Sequence, residues 1–198
     1  MNLPNKLTVA RLILVPIFVV LMSFENVVTY IAAYLVFSVA SITDYFDGKV
    51  AREQNLVTSF GKLMDPLADK VLMAAAFVMA MKVPSLNIPG WTIVAILARE
   101  FLVTGARSMA GSDGLVIAAN QWGKIKTVLQ MVYIFLFLFL AIGVWAAEYW
   151  FPDYAERYTN ALGHASFFGI IAVSLLTVYT GIQFAQSNWK SLNLSSQQ

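Results

Sequence analysis

Residues 127–147, TVLQMVYIFLFLFLAIGVWAA, run for 21 positions without a charged side chain. Wound into a helix at about 1.5 Å per residue, such a run is about 30 Å long, the thickness of a bilayer's hydrocarbon core. Five further apolar stretches flank it, at 12–24, 27–43, 63–81, 88–110 and 165–187, separated by Gly, Pro, Asn or charged residues. Six crossings of about 20 residues use about 120 positions, which a chain of 198 residues accommodates with short connections. The composition agrees: 59% of residues are hydrophobic and only 12% charged, about half the charged share of a soluble domain. The reading is an all-α integral membrane protein of six transmembrane helices forming one domain over 1–198, and a soluble globule is excluded.

The first apolar stretch follows Lys6 and Arg11, as the apolar part of a signal peptide would. No small-x-small cleavage site stands at Ser23-Phe24-Glu25-Asn26, so it reads as a retained helix beginning near Thr8, with Thr8 as its cap. The polar end, 191–198, reads as a disordered tail. Six spans put both termini on one side. Eleven of the thirteen Lys and Arg residues fall towards that side and only Lys82 and Arg157 towards the other, which makes it cytoplasmic by the positive-inside rule. The opposite face carries Glu25, Glu148, Asp153 and Glu156 and an aromatic-rich segment, 145–158, that reads as an interfacial anchor. With no cysteine, the chain has no disulfide framework and no thiolate chemistry, so a metal site has to use carboxylates. A net charge of +2 is too small to argue for nucleic acid.

Ionisable groups within apolar segments are costly and by default functional. Asp44, Asp47, Asp65 and Asp69 cluster at the end of the second stretch and the start of the third, with Lys49, Arg52, Lys62 and Lys70 interleaved. Spacings of three and four put each pair on one helix face, and a short connection makes the two helices antiparallel. Four carboxylates then converge, and their mutual repulsion calls for cations. Oxygen-only donors favour Mg²⁺ or Mn²⁺. The bland alternative, loop carboxylates paired with nearby lysines, does not explain Asp65 and Asp69 inside an apolar segment. Gly48, Ala51 and Gly61 would let a bulky phosphate-bearing ligand approach the backbone, and Arg52 could grip its phosphate as a fork.

The pattern Asp44-x2-Asp47-Gly48-x2-Ala51-Arg52-x8-Gly61-x3-Asp65-x3-Asp69 resembles, without a departure, the signature of the CDP-alcohol phosphatidyltransferase family. Similarity extends to Pro4-Asn5-x2-Thr8-x2-Arg11, to Arg99-Glu100 with Gly105-x-Arg107, and to Gly123-Lys124-x-Lys126-Thr127. The resemblance implies a six-helix membrane enzyme that moves the phosphatidyl group of CDP-diacylglycerol to an alcohol and releases CMP, using two divalent cations, and it fits a homodimer. It implies that Asp44, Asp47, Asp65 and Asp69 bind metal, with Asp69 as general base. It further implies that Gly48, Arg52, Thr58 and Gly61 contact the CDP-diacylglycerol, with Asn5 and Thr8 bordering the nucleotide. The lone His164 lies on the far side and is not expected to take part.

Which alcohol accepts the group turns on a second basic cluster, Arg99, Arg107, Lys124 and Lys126. It reads either as a pocket for an acceptor phosphate or as positive-inside decoration facing anionic lipid. Arg99 also has Glu100 as a neighbour with which to pair. Serine would leave the cluster unexplained, and a phosphorylated inositol would use it as well as sn-glycerol 3-phosphate; the resemblance of 99–107 and 123–127 favours glycerol phosphate. From a different class, a divalent-cation transporter predicts acidic residues through the membrane depth, whereas these four sit near one face. A non-catalytic lipid-binding scaffold leaves the aspartates without a purpose.

Overall fold

Inside a bilayer every backbone amide has to be satisfied within the protein, and a helix does so within one segment. The chain forms α1 (Leu3–Met22), α2 (Val27–Glu53), α3 (Ser59–Ala80), α4 (Gly90–Ser112), α5 (Gln121–Trp150) and α6 (Pro152–Leu194), with no strand among the described residues. This computed structural model describes residues 3–53, 59–112 and 121–194, and within them no side chain at 3–4, 44–53, 59–63, 65–66, 112 or 190–194. Among the described residues, α1, α5 and α6 each hold a stretch long and apolar enough to cross a membrane, and α2 holds a shorter one over Val27–Thr43.

Several helix ends depart from the apolar windows. The first helix starts at Leu3, not near Thr8, because Pro4 falls in its first turn, where a missing N–H is harmless. Thr8 therefore lies inside the helix, buried, and does not cap it. The helix α5 begins six residues before Thr127, and α6 begins at Pro152, thirteen before Ala165, with only Phe151 between the two. Extending a formed helix needs no new nucleus, so polar residues join it at little cost. The same reason carries α6 through 191–194, the first half of the polar end expected to be disordered. In the aromatic segment, Tyr149, Trp150, Phe151, Tyr154 and Tyr158 are exposed as an interfacial belt requires, but Trp145 turns inward onto Tyr30, ring centroids 5.9 Å apart.

The helix α1 packs on both α2 and α3, α5 on both α6 and α2, and α4 on α6. Their shared core holds Phe18, Phe37, Phe77, Ile96, Tyr133 and Phe137. Large apolar side chains stay exposed along the outside of every helix, among them Ile17, Leu35, Val71, Leu102, Phe139 and Leu175. The consecutive antiparallel helices bring the start of α1, the end of α2, the start of α3, the end of α4, the start of α5 and the end of α6 to one end of the bundle. Near the opposite end, a short 3₁₀ helix at Pro84–Leu86 packs on α6.

Two polar seams bind α5 to α6. Gln130 Nε2 donates to Thr177 Oγ1 at 3.0 Å, and the Tyr133 hydroxyl donates to the Ser166 carbonyl at 3.2 Å. The Tyr133 ring is stacked on Phe77 on one side and crosses Gly169 on the other, where a Cβ would lie 2.9 Å from Cε2. Gly169→Ala is expected to overpack this crossing at a cost of about 1–3 kcal/mol, read as a melting temperature lowered by several degrees in detergent.

Candidate active site

The end of the bundle where the six helices bring their polar residues contains a cavity of about 390 Å³ between α3, α4 and α5. Asp69 and Lys70 of α3, Arg99, Glu100 and Arg107 of α4, and Gly123, Lys124 and Lys126 of α5 line its polar part. Met73, Phe77, Ile96 and Leu97 line its apolar part. The expected base and the whole of the expected acceptor cluster thus share one volume, although they come from segments 30 to 57 residues apart. Five cationic side chains face it against two carboxylates, Asp69 and Glu100.

Glu100 is the hub. Its Oε1 accepts from Arg99 Nη1 at 3.3 Å and pairs with Lys126 Nζ, while its Oε2 accepts from Lys70 Nζ at 3.4 Å. One carboxylate therefore ties α3, α4 and α5 together. Lys126 is the most buried of these cations, with a side chain 3% exposed, so Glu100 is what makes its charge tolerable there. Lys124, one position from the start of that turn, is exposed at the rim.

Arg99 and Arg107 stand two turns apart on α4 and face α6. The Arg107 guanidinium carbon lies 5.3 Å from the Phe184 ring centroid, a cation–π contact. The Nε atoms of both arginines are buried without a hydrogen-bond partner among the described residues. Asn5, Thr8 and Arg11 are buried on α1, each engaged with its surroundings. They do not line the cavity, but Arg11, with Lys70, Lys126 and Glu100, lies within electrostatic reach of the Asp69 carboxylate. That proximity sets α1 beside the site and balances a buried arginine with an aspartate.

The other expected residues are located by their backbone alone. Asp44, Asp47, Gly48 and Arg52 lie on the last turns of α2, and Gly61 and Asp65 on the first turns of α3. Their side chains, and Thr58 altogether, lie outside the described residues. Among the described residues no three His, Cys, Asp or Glu side chains form a metal site. The donor chemistry still suits a hard cation: the candidate ligands are all carboxylates, one turn apart in pairs, at the end of α2 and the start of α3. His164 sits at the opposite end, its Nδ1–H donating to the Asn160 carbonyl at 2.7 Å.

Two features escaped the sequence reading. In the sequence Glu100 stands within the Arg99-Glu100 similarity and beside Arg99, with no sign that it pairs with Lys70 and Lys126 of other helices. Gln130 and Thr177 read as ordinary residues of apolar helices. A Gln inside an otherwise apolar run was the available signal, since a buried amide needs a partner.

Comparison with known proteins bears on this site. The family model for CDP-alcohol phosphatidyltransferase matches residues 1–178. The chain is 37% identical to a Bacillus subtilis protein named CDP-diacylglycerol–glycerol-3-phosphate 3-phosphatidyltransferase, over 98% of this chain and 99% of that one. An Escherichia coli protein of the same name is 34% identical over 92% of each chain. A Rickettsia typhi protein of that name is 43% identical over 66% of this chain and 72% of its own.

If Glu100 holds the cluster, Glu100→Gln takes from three neighbouring cations the carboxylate that pairs with them directly. The variant is expected to lose about 1–3 kcal/mol of stability, seen as a lower melting temperature in detergent that added salt partly restores.

Proposed function

Because the chain belongs to the CDP-alcohol phosphatidyltransferase family, we propose that it transfers the phosphatidyl group of CDP-diacylglycerol to sn-glycerol 3-phosphate and releases CMP. The observation that carries the reading is the single cavity joining Asp69 to Arg99, Arg107, Lys124 and Lys126. The names of the full-length relatives supply the same donor and acceptor.

In this reading the acceptor's phosphate is drawn to the cationic wall by charge-assisted hydrogen bonds, with Arg107 and Lys124 the cations not spent on Glu100. Its free hydroxyl faces Asp69, which takes the proton as the oxygen attacks phosphorus. The bond from phosphorus to the CMP oxygen breaks in line, and CMP leaves with the electron pair. Asp44, Asp47, Asp65 and Asp69 would hold Mg²⁺ or Mn²⁺, which when bound would supply charge neutralisation on the phosphoryl oxygens and the leaving group. Gly48, Arg52, Thr58 and Gly61 cradle the CDP-diacylglycerol where α2 gives way to α3, beside Asn5 and Thr8. The apolar part of the cavity, from Met73 to Phe77 and at Ile96 and Leu97, suits a substrate with a lipid end.

All six helices cross the membrane in this account. The exposed apolar side chains on α3 (Val71, Val78) and α4 (Val94, Leu102) support it even where internal charges lower their mean hydropathy. The cationic end is then cytoplasmic, with both termini. A transporter would place acidic groups through the depth of the bundle. The described ones instead stand at its two ends, Asp69 and Glu100 at one and Glu25, Glu148, Asp153 and Glu156 at the other.

Detergent-solubilised protein is expected to release CMP from CDP-diacylglycerol only with a divalent cation and sn-glycerol 3-phosphate, and not with serine. Chelation should abolish release, and Mg²⁺ or Mn²⁺ should restore it. Release with inositol phosphate instead would keep the aspartate chemistry and overturn the acceptor. Asp69→Asn is expected to lower kcat by about 10²–10⁴-fold in a protein that stays folded; near-normal turnover removes Asp69 as the base. The orientation has its own check, since the chain has no native cysteine. A membrane-impermeant maleimide should label Tyr149→Cys on intact cells and Lys6→Cys only after permeabilisation, and the reverse pattern would invert the topology.

A further inference from the structure

The long last helix takes no part in the family signature, yet it forms the surface against which two arginines of α4 lie. The Arg99 side chain crosses α6 at Gly181. A Cβ built there would stand 2.8 Å from Arg99 Cγ, 3.9 Å from its Cβ and 3.8 Å from its Nε. Cγ is close to the root of the side chain, so a methyl group at 181 cannot be relieved by swinging the guanidinium aside. Either the whole arm turns about χ1, which sweeps the guanidinium through several ångströms, or α4 and α6 part. Three residues on and on the same face, Phe184 presents its ring to Arg107 at 5.3 Å. Both arginines keep a buried Nε with no partner among the described residues, and the Arg99 side chain is only 10% exposed.

A guanidinium left partly unpartnered in so closed a setting is costly unless a ligand completes it. Both arginines line the cavity that holds Asp69. Glu100 takes one edge of Arg99 through Nη1, and Nε is left without a partner among the described residues. We infer that Gly181 and Phe184 of α6 are positioning residues that seat Arg99 and Arg107 for the phosphate of the acceptor: Gly181 by its missing side chain, Phe184 by its ring face. The inference rests on the functional reading above and deepens it. The acceptor's anion is recognised by α4 arginines whose aim is set by a helix that does not touch the acceptor.

The test is a pair of double-mutant cycles read on acceptor kinetics. Gly181→Ala should raise the KM for sn-glycerol 3-phosphate by about tenfold while the KM for CDP-diacylglycerol and kcat stay within about twofold. Arg99→Ala should raise the same KM, and in that background Gly181→Ala should add less than a twofold effect, because the group it displaces is gone. Phe184→Leu keeps the apolar bulk and removes the π face; it should raise the acceptor KM about threefold, and the effect should vanish in Arg107→Ala. This second cycle carries the test if Gly181→Ala does not fold. An unchanged acceptor KM in folded Gly181→Ala and Phe184→Leu overturns the inference, as does an equal effect with and without the arginines, which marks plain helix packing. A wild-type protein that releases no CMP with sn-glycerol 3-phosphate overturns the functional reading and this inference with it. An active wild type with insensitive variants overturns the inference alone.

Discussion

A single carboxylate, Glu100, placed among Lys70, Arg99 and Lys126, is the interaction on which the site depends. Helices in lipid gain little from hiding apolar surface against one another, because the surrounding chains are as apolar as the side chains. Polar bonds between helices therefore carry more of the burden of register, and here they concentrate at one end. With Glu100 in place, three cations from three helices are drawn together; without it, the same cations repel and no counter-charge fixes how α3, α4 and α5 meet. The position of Asp69 follows, since it stands one residue before Lys70 on α3 and faces the same cavity.

The other half of the bundle is built on close passage. At Gly169 the Tyr133 ring crosses α6, and at Gly181 the Arg99 stem does, twelve residues further along. At each, the absent Cβ lets a large side chain from a neighbour lie against the helix backbone. The Gln130–Thr177 bond lies between these crossings in sequence and fixes α5 on the same helix. A helix of 43 residues, about 64 Å at helical rise, thus serves as a straight edge against which α4 and α5 are aligned.

Joining Asp69 to the basic cluster in one cavity gives the proposed chemistry a simple logic. On that proposal an anionic acceptor would be attracted by an excess of cations and would meet Asp69 without further travel, while the lipid end of the donor would find the apolar walls between α3 and α4. The cationic surplus also gives the Asp69 carboxylate its counter-charge, with Lys70, Lys126 and Arg11 within electrostatic reach.

The sequence by itself determined the membrane class, the helical segments and the aspartate signature. These depend on local quantities: a run of apolar residues such as 127–147 has one stable form in lipid, and spacings of three and four place side chains on one face wherever the helix lies. It also marked Arg99, Arg107, Lys124 and Lys126 as a basic group, because they lie together towards one side in a number beyond what topology alone demands. Only the tertiary structure decided that Glu100 binds cations from positions 70 and 126, that Thr8 is a buried helix residue and not a cap, that Trp145 turns inward, and that Gly181 underlies Arg99. Apart from the start of α1, each of these is a contact between elements far apart in the chain. Their register is set by how whole helices pack, a choice that no local periodicity encodes.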